Sequence, residues 1–149
     1  MKNPFVWLLA LPLLAACPSP TDAGTDGSLV GDERRAGIIE SQHLRAPALA
    51  APATVTAGQT FQVAVTTLGY SGCWRNAGED VTNAAGLAII HPYDRVQGEV
   101  CTDALVEIRH VVFLRFDTPG TAKLVVQGRS DPNEPSPRAV TIEHTVTVQ

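Results

Sequence analysis

Apolar and polar side chains alternate with a period of two over most of the chain beyond residue 53. Alternating segments lie at residues 53–57, 61–65, 112–116, 122–126 and 140–148, and a short apolar run lies at 87–90. Turn-forming residues separate them, most clearly at 117–120, where the sequence is Asp-Thr-Pro-Gly. Because successive side chains of a strand point to opposite faces, the pattern predicts half-buried strands in antiparallel hairpins.

The spacing of an amphipathic helix is not sustained anywhere beyond the N-terminal segment. Ile38 and Ile39 add a possible first short strand, which brings the prediction to about seven strands in roughly 100 residues, the size of an immunoglobulin-like sandwich. The sequence therefore predicts an all-β fold, a single antiparallel β-sandwich formed by residues 36–149.

The first residues have the composition of a secretory signal peptide. Lys2 supplies a positive charge, residues 5–14 are mostly apolar, and Ala15 and Ala16 are the small residues of a cleavage site. The apolar run is shorter than the about 20 residues that span a bilayer. Residues 1–16 are therefore predicted to be removed on export.

The sequence Leu14-Ala15-Ala16-Cys17 resembles the lipobox of bacterial lipoproteins. The resemblance implies a diacylglycerol on Cys17, cleavage just before it, and a membrane partner held through the lipid. Pro18 stands where an Asp marks inner-membrane retention in enterobacterial lipoproteins, which favours the outer membrane for a Gram-negative source. Residues 17–35 are polar and rich in Gly, Pro, Ser and Asp, and they are expected to form a flexible tether.

With Cys17 assigned to the lipid, Cys73 and Cys101 remain in a chain that leaves the cytoplasm. An even remainder in an oxidising compartment predicts a disulfide. A redox pair would show Cys-x-x-Cys spacing, which is absent, and a metal site would need more ligands.

Residues 52–65, 118–128 and 141–148 resemble the opening hairpin, a late hairpin and the last strand of bacterial immunoglobulin-like domains. Together with the sequences around Cys73, Tyr93 and Cys101, they resemble a group of uncharacterised bacterial lipoproteins. The resemblance covers residues 36–149 and implies a fold but no activity. Trp74 directly follows Cys73, unlike the Trp of immunoglobulin domains, so the bridge is expected to pin a loop or an edge strand.

Charge and motifs argue against several function classes. The net charge is −4, and no basic cluster exceeds the pair Arg34–Arg35, so neither nucleic acid nor an anionic membrane surface is an expected partner. There is no nucleophile elbow, phosphate loop or calcium loop. No catalytic activity, cofactor or metal is therefore predicted. The acidic residues Glu79, Asp80, Asp94 and Asp103 are expected near turns, and the four histidines, His43, His91, His110 and His144, do not have metal-ligand spacing.

The aromatic and basic residues Tyr70, Trp74, Arg75 and Tyr93 form a candidate binding patch, because Trp, Tyr and Arg are enriched at interaction hot spots. The structural alternative is that Trp74 covers the disulfide and Tyr93 closes the core. The expected function is a non-catalytic, lipid-anchored envelope domain that binds an envelope protein or a small ligand, or has a structural role. A protease inhibitor, a metal- or ligand-binding envelope protein, and an enzyme whose site forms only on folding are the alternatives.

Overall fold

Residues 33–149 are described by a computed structural model, and they form ten β-strands and no α-helix. The all-β prediction is confirmed. None of these residues belongs to a helix that could cross a membrane. The strands are β1 (Arg35–Ala36), β2 (Ile38–Glu40), β3 (Leu49–Ala50), β4 (Thr54–Val55), β5 (Thr60–Gly69), β6 (Trp74–Ala84), β7 (Leu87–Val96), β8 (Val106–Arg115), β9 (Gly120–Ser130) and β10 (Ala139–Val148).

The larger sheet has seven strands, with β6, β7, β9, β10 and β4 side by side and β1 and β2 attached to β7 and β9. β6–β7 and β9–β10 are antiparallel hairpins. In contrast to the purely antiparallel pairing expected, β7 and β2 run parallel to β9, and β4 runs parallel to β10. The parallel β7–β9 pair arises because the chain leaves this sheet as β8 and returns in the original direction as β9.

The smaller sheet is antiparallel and has the order β3, β5, β8. β5 and β8 pair along their whole length, from Thr60 opposite Arg115 to Gly69 opposite Val106. The edge strand β6 of the larger sheet contacts the edge strand β8 of the smaller one. The two sheets therefore contact each other along this side.

The core lies between the sheets and consists of the inward-facing positions of the alternating segments. Full burial of each such Val, Ile or Leu side chain stabilises the fold by roughly 1.5–3 kcal/mol. These side chains come from both sheets, so each sheet buries its apolar face against the other. The buried cluster contains Ile39, Val63, Val65, Ala88, Ile90, Val112, Leu114, Phe116, Ala122, Leu124, Val126, Val146 and Val148.

The segment from β1 to β2 fits between the diverging ends of β7 and β9. The Gly37 N–H donates to the Pro92 carbonyl at 2.9 Å, and the Arg129 N–H donates to the Gly37 carbonyl at 3.0 Å. A Cβ on Gly37 would lie 2.4 Å from Cγ2 of Thr67, so only glycine allows this close approach. The predicted strand at Ile38 and Ile39 is present as β2.

The strand β6 is not predicted by the alternation of the sequence. Its side chains are mostly polar and exposed, and a β-bulge between Asn76 and Glu79 interrupts the alternation. The expectation that the acidic residues lie near turns is wrong for three of them, since Glu79 and Asp80 lie within β6 and Asp94 lies within β7. The sequence carries no periodic signal here, because an edge strand buries too few apolar side chains to show a period of two.

Candidate functional site

Most of the chemically distinctive groups lie at one end of the sandwich, here called the disulfide end. It contains the ends of β2, β5, β7 and β9 and the starts of β6, β8 and β10, as the strand registers require. The predicted residues Tyr70, Trp74, Arg75 and Tyr93 all lie here. Cys17, the predicted lipid site, lies outside the described residues.

Cys73 and Cys101 form the predicted disulfide, with 5.3 Å between their Cα atoms and a sequence separation of 28. Cys73 is buried just before β6, whereas Cys101 is exposed in the loop that precedes β8. The Gly72 N–H donates to the Thr102 carbonyl at 3.0 Å, and the Gln97 N–H donates to the Cys73 carbonyl at 2.9 Å. As expected, the bridge pins a loop to an edge strand and does not cross the core.

The four residues of the candidate binding patch do not share one surface. Arg75 lies opposite Arg95 on the outer face of the larger sheet, and its Nη1 donates to the Gly72 and Trp74 carbonyls at 2.7 Å. Trp74 points to the opposite face of β6 and packs against Gly69, where an added Cβ would lie 2.4 Å from the Trp74 Cβ. These two neighbours are therefore divided between the faces of their strand.

Tyr93 does not close the core. Its neighbours Pro92 and Asp94 are buried, whereas Tyr93 is only partly buried and faces outward. The Arg34 guanidinium stacks on its ring, 4.1 Å from the centroid, and Arg34 also pairs with Asp80 at 3.1 Å. Tyr93 thus belongs to an exposed polar face, together with Arg75.

Tyr70 belongs to a separate polar cluster around Asp131. The Asp131 carboxylate is buried and accepts from the Ser41 hydroxyl and the Asn133 N–H, both at 2.8 Å. The Tyr70 hydroxyl lies beside it without a hydrogen bond of good geometry. Burial, and then the neighbouring Asp131, raise the pKa of Tyr70 to about 12.

Burial alone would raise the pKa of Asp131, but the Tyr70 hydroxyl, the Asn133 N–H and the Ser41 hydroxyl together hold it below its usual range. Asp131 is therefore a buried carboxylate stabilised in its charged form. Its N–H donates to the Glu40 carbonyl at 2.9 Å, so the cluster ties the end of β9 to β2.

A second polar cluster, which the sequence analysis missed, lies between the sheets and is here called the His110 cluster: Thr67, Glu79, Asp94 and His110. Nδ1 of His110 lies 2.8 Å from Oε1 of Glu79, and Nε2 lies 3.0 Å from Oδ1 of Asp94. Nε2 is also 3.2 Å from Oγ1 of Thr67. His110 has 0 % and Asp94 1 % of its surface exposed, while the Glu79 side chain is 19 % exposed.

Four strands supply these residues, and each places its side chain inward. Thr67 continues the face of Val63 and Val65 on β5, and His110 continues the face of Val112 on β8. In the sequence, Thr67 and His110 are polar residues at positions that the alternation assigns to the inward face of an apolar strand. This pattern could have predicted part of the cluster. Glu79 gave no such signal, because its position on an inward face depends on the bulge in β6.

The bulge brings Asn76 and Glu79 to the same side of β6, since they lie opposite the inward-facing Asp94 and Pro92. Nδ2 of Asn76 donates to Oε1 of Glu79 at 2.9 Å, and the Gly78 N–H donates to Oδ1 of Asn76 at 2.6 Å. Gly78 has a φ of 94°, which favours glycine. The bulge therefore directs Glu79 toward His110.

The imidazole of His110 is enclosed by the side chains around it. His110 has no exposed surface on which a substrate could bind, and both of its ring nitrogens contact carboxylates. Within residues 33–149 no three His, Cys, Asp or Glu side chains are placed to hold a metal ion. A groove of about 430 Å³ near His43 and Leu68 contains none of the four residues of the His110 cluster.

Of the other histidines, His43 is exposed, and His91 and His144 are partly buried. His144 faces the same side of β10 as Ile142 and Val146, as the alternation predicts, and its Nε2 is buried without a hydrogen-bond partner.

Comparison of the chain with protein-family models, curated proteins and solved structures found no match.

Proposed function

We propose that the protein is a lipid-anchored envelope protein whose immunoglobulin-like domain has a non-catalytic role in binding or in structure. The observation that carries this proposal is the disulfide between Cys73 and Cys101. It uses both cysteines that remain when Cys17 is assigned to a lipid, and disulfides are typical of compartments outside the cytoplasm.

A non-catalytic role is supported by the chemistry of the disulfide end. The strongest acid–base constellation, the His110 cluster, has no exposed imidazole surface, and Asp131 is enclosed by hydrogen bonds. A general acid or base must reach the proton that it transfers, either directly or through one water. Arg75, which is exposed, and Tyr93, which is partly exposed, are suited to contact with a partner.

Two features support the immunoglobulin-like part of the proposal. The fold has two sheets and the size expected of such a domain, and its N-terminal segment crosses from one sheet to the other. β3 pairs with β5 of the smaller sheet, and β4, a few residues later, pairs with β10 of the larger one. The parallel β7–β9 pair is a departure from the two antiparallel sheets of immunoglobulin domains.

Metabolic labelling with a radioactive fatty acid in a Gram-negative bacterial host tests the anchor. The wild-type protein should incorporate the label and sediment with membranes, whereas Cys17→Ser should lose the label completely. Cys101→Ser is the matched control, since it removes a different cysteine and should keep the label. Equal labelling of Cys17→Ser and wild type would refute the lipid anchor.

A further inference from the structure

Folding gathers arginines from four strands and their flanks at the disulfide end. In the sequence the largest basic cluster is a pair, from which an anionic surface is not predicted as a partner. The strand registers bring three further arginines to this pair. The group is here called the arginine patch and consists of Arg34, Arg35, Arg75, Arg95 and Arg129.

Tyr93 lies at the centre of the arginine patch. Arg75 of β6 lies opposite Arg95 of β7, and such partners share one face of a sheet. Tyr93 is two residues before Arg95 and faces the same side. The Arg34 guanidinium lies on the Tyr93 ring, 4.1 Å from its centroid. Arginines from three neighbouring segments therefore surround one tyrosine.

Arg129 and Arg35 extend the patch across β1. Nε of Arg129 donates to the Ala36 carbonyl of β1 at 2.7 Å. Burial, and then the neighbouring Arg35, lower the pKa of Arg129, so the two guanidinium groups are close enough to repel each other. Asp94 and Asp131 attract Arg129, but both carboxylates are buried. The surface itself therefore remains basic.

The exposed acidic groups near the patch offset its charge only weakly. Asp80 pairs with Arg34 at 3.1 Å, and Glu33 approaches Arg35 at 3.9 Å. The four side chains are between 45 % and 70 % exposed, and ion pairs of such exposure contribute little. An anionic partner could therefore displace either acid at small cost.

Arg75 shows which chemical group the patch suits. Its Nη1 donates to the Gly72 and Trp74 carbonyls, which fix the guanidinium, and no group within residues 33–149 accepts from Nε or Nη2. These two nitrogens form a parallel donor pair that matches two oxygens of a phosphate group. The like charge of Arg95 directly opposite is unfavourable unless an anion lies between the two.

The patch lies where the chain leads toward the predicted lipid site. Arg34 and Arg35 directly follow Glu33, the first described residue, and Glu33 is 16 positions after Cys17. A flexible tether of that length spans roughly 20–25 Å. A lipid on Cys17 would therefore hold the patch close to the membrane surface.

We propose that the arginine patch docks the domain onto the phosphate groups of anionic phospholipids in the membrane that holds its lipid. This rests on the lipid anchor of the proposed function. The patch extends over β1, β7 and β6, roughly 10 Å at about 4.8 Å between strands, which is wider than one phosphate group. A layer of headgroups presents phosphates to several arginines at once, and Tyr93 has an apolar ring and a polar tip suited to that layer.

Labelling of arginines in the lipidated protein with phenylglyoxal, followed by mass spectrometry, tests the proposal. The protein is reconstituted into vesicles of phosphatidylcholine alone or of an equal mixture with phosphatidylglycerol. Arg34, Arg35 and Arg75 should react at least about fivefold more slowly in the anionic vesicles, the effect of one basic residue at such a surface. Arg109 and Arg115, exposed on the smaller sheet, should react equally in both. The difference should disappear at about 1 M salt, where the screening length is about 3 Å.

Two double variants separate the patch from the net charge. Arg34→Gln with Arg35→Gln removes two charges from the patch, and Arg109→Gln with Arg115→Gln removes two from the smaller sheet. In anionic vesicles, Arg75 of the first variant should react as fast as in phosphatidylcholine, whereas Arg75 of the second should stay protected. All four side chains are exposed, so both variants should fold.

Equal labelling of the patch in the two kinds of vesicle would overturn the proposal. So would inorganic phosphate that protects the patch in phosphatidylcholine vesicles as well as anionic lipid does, with chloride at equal ionic strength as the control, because the patch would then be a site for small anions. A protein that binds anionic vesicles but not phosphatidylcholine would refute the lipid anchor and support the patch. Binding to neither would refute both.

Discussion

Asp131 is a buried acid whose charge is held in place by three neighbouring donors. Two well-formed hydrogen bonds, from the Ser41 hydroxyl and the Asn133 N–H, lie at 2.8 Å, and the Tyr70 hydroxyl stands beside them. Because these donors favour the ionised form more than burial opposes it, the pKa of Asp131 is below that of an unfolded Asp. At the residue scale, this makes Asp131 a source of acid sensitivity.

We expect Asp131→Asn to be less stable than wild type at pH 7 by about 1–3 kcal/mol, since hydrogen bonds to a charged acceptor are lost. The contribution of Asp131 is fully present above the pKa of an unfolded Asp and is lost as the pH falls through the lowered folded pKa. In urea unfolding, the stability difference between the two proteins should therefore begin to narrow below about pH 4 and vanish only below the lowered folded pKa. Asp117→Asn, at an exposed pair, is the control; a difference that does not narrow in acid would contradict this account.

At the scale of the element, β6 shows how a polar sequence becomes a strand. It has little apolar surface to bury, and its backbone pairs only with β7. Its inward side chains instead make polar contacts with β8, and the bulge at Asn76–Glu79 sets which side chains those are. The bulge depends on Gly78, whose φ of 94° an L-residue adopts only with strain.

Gly78→Ala should destabilise the protein by about 1–2 kcal/mol, the cost of a left-handed conformation for a residue with a Cβ. The loss should come from backbone strain alone, because an added Cβ would meet no atom within 4 Å. Chemical denaturation measures it, and Ala77→Ser in the same bulge should change stability by less than about 0.5 kcal/mol. An unchanged stability of Gly78→Ala would show that the bulge relaxes to another register.

At the scale of the whole molecule, apolar and polar contacts are separated along the sandwich. The apolar core fills the space between the sheets, while the disulfide end is held by the Cys73–Cys101 bridge, the Asp131 cluster and the His110 cluster. The loop at residues 97–105 is largely exposed, with Val100 95 % exposed, so burial contributes little to its order.

Replacement of both Cys73 and Cys101 by Ser should lower the free energy of unfolding by about 2–4 kcal/mol, because the bridge restricts a loop of the unfolded chain. The far-UV circular dichroism should be unchanged, since the bridge lies outside the core. A reducing agent should lower the stability of wild type and leave the double variant unaffected. Equal stability of the oxidised wild type and the double variant would refute a structural role for the bridge.

The sequence by itself determined the all-β class, the inward faces of β5, β8, β9 and β10, and the pairing of Cys73 with Cys101. Each follows either from the local alternation of apolar and polar residues or from the even number of cysteines that remain after Cys17. Neither of these depends on which strands pair in the folded protein. The tertiary structure alone decided the His110 cluster, because its four residues come from four strands and converge only through the sheet registers. It also decided the role of Glu79, since a bulge in a strand with no apolar period turns that side chain inward.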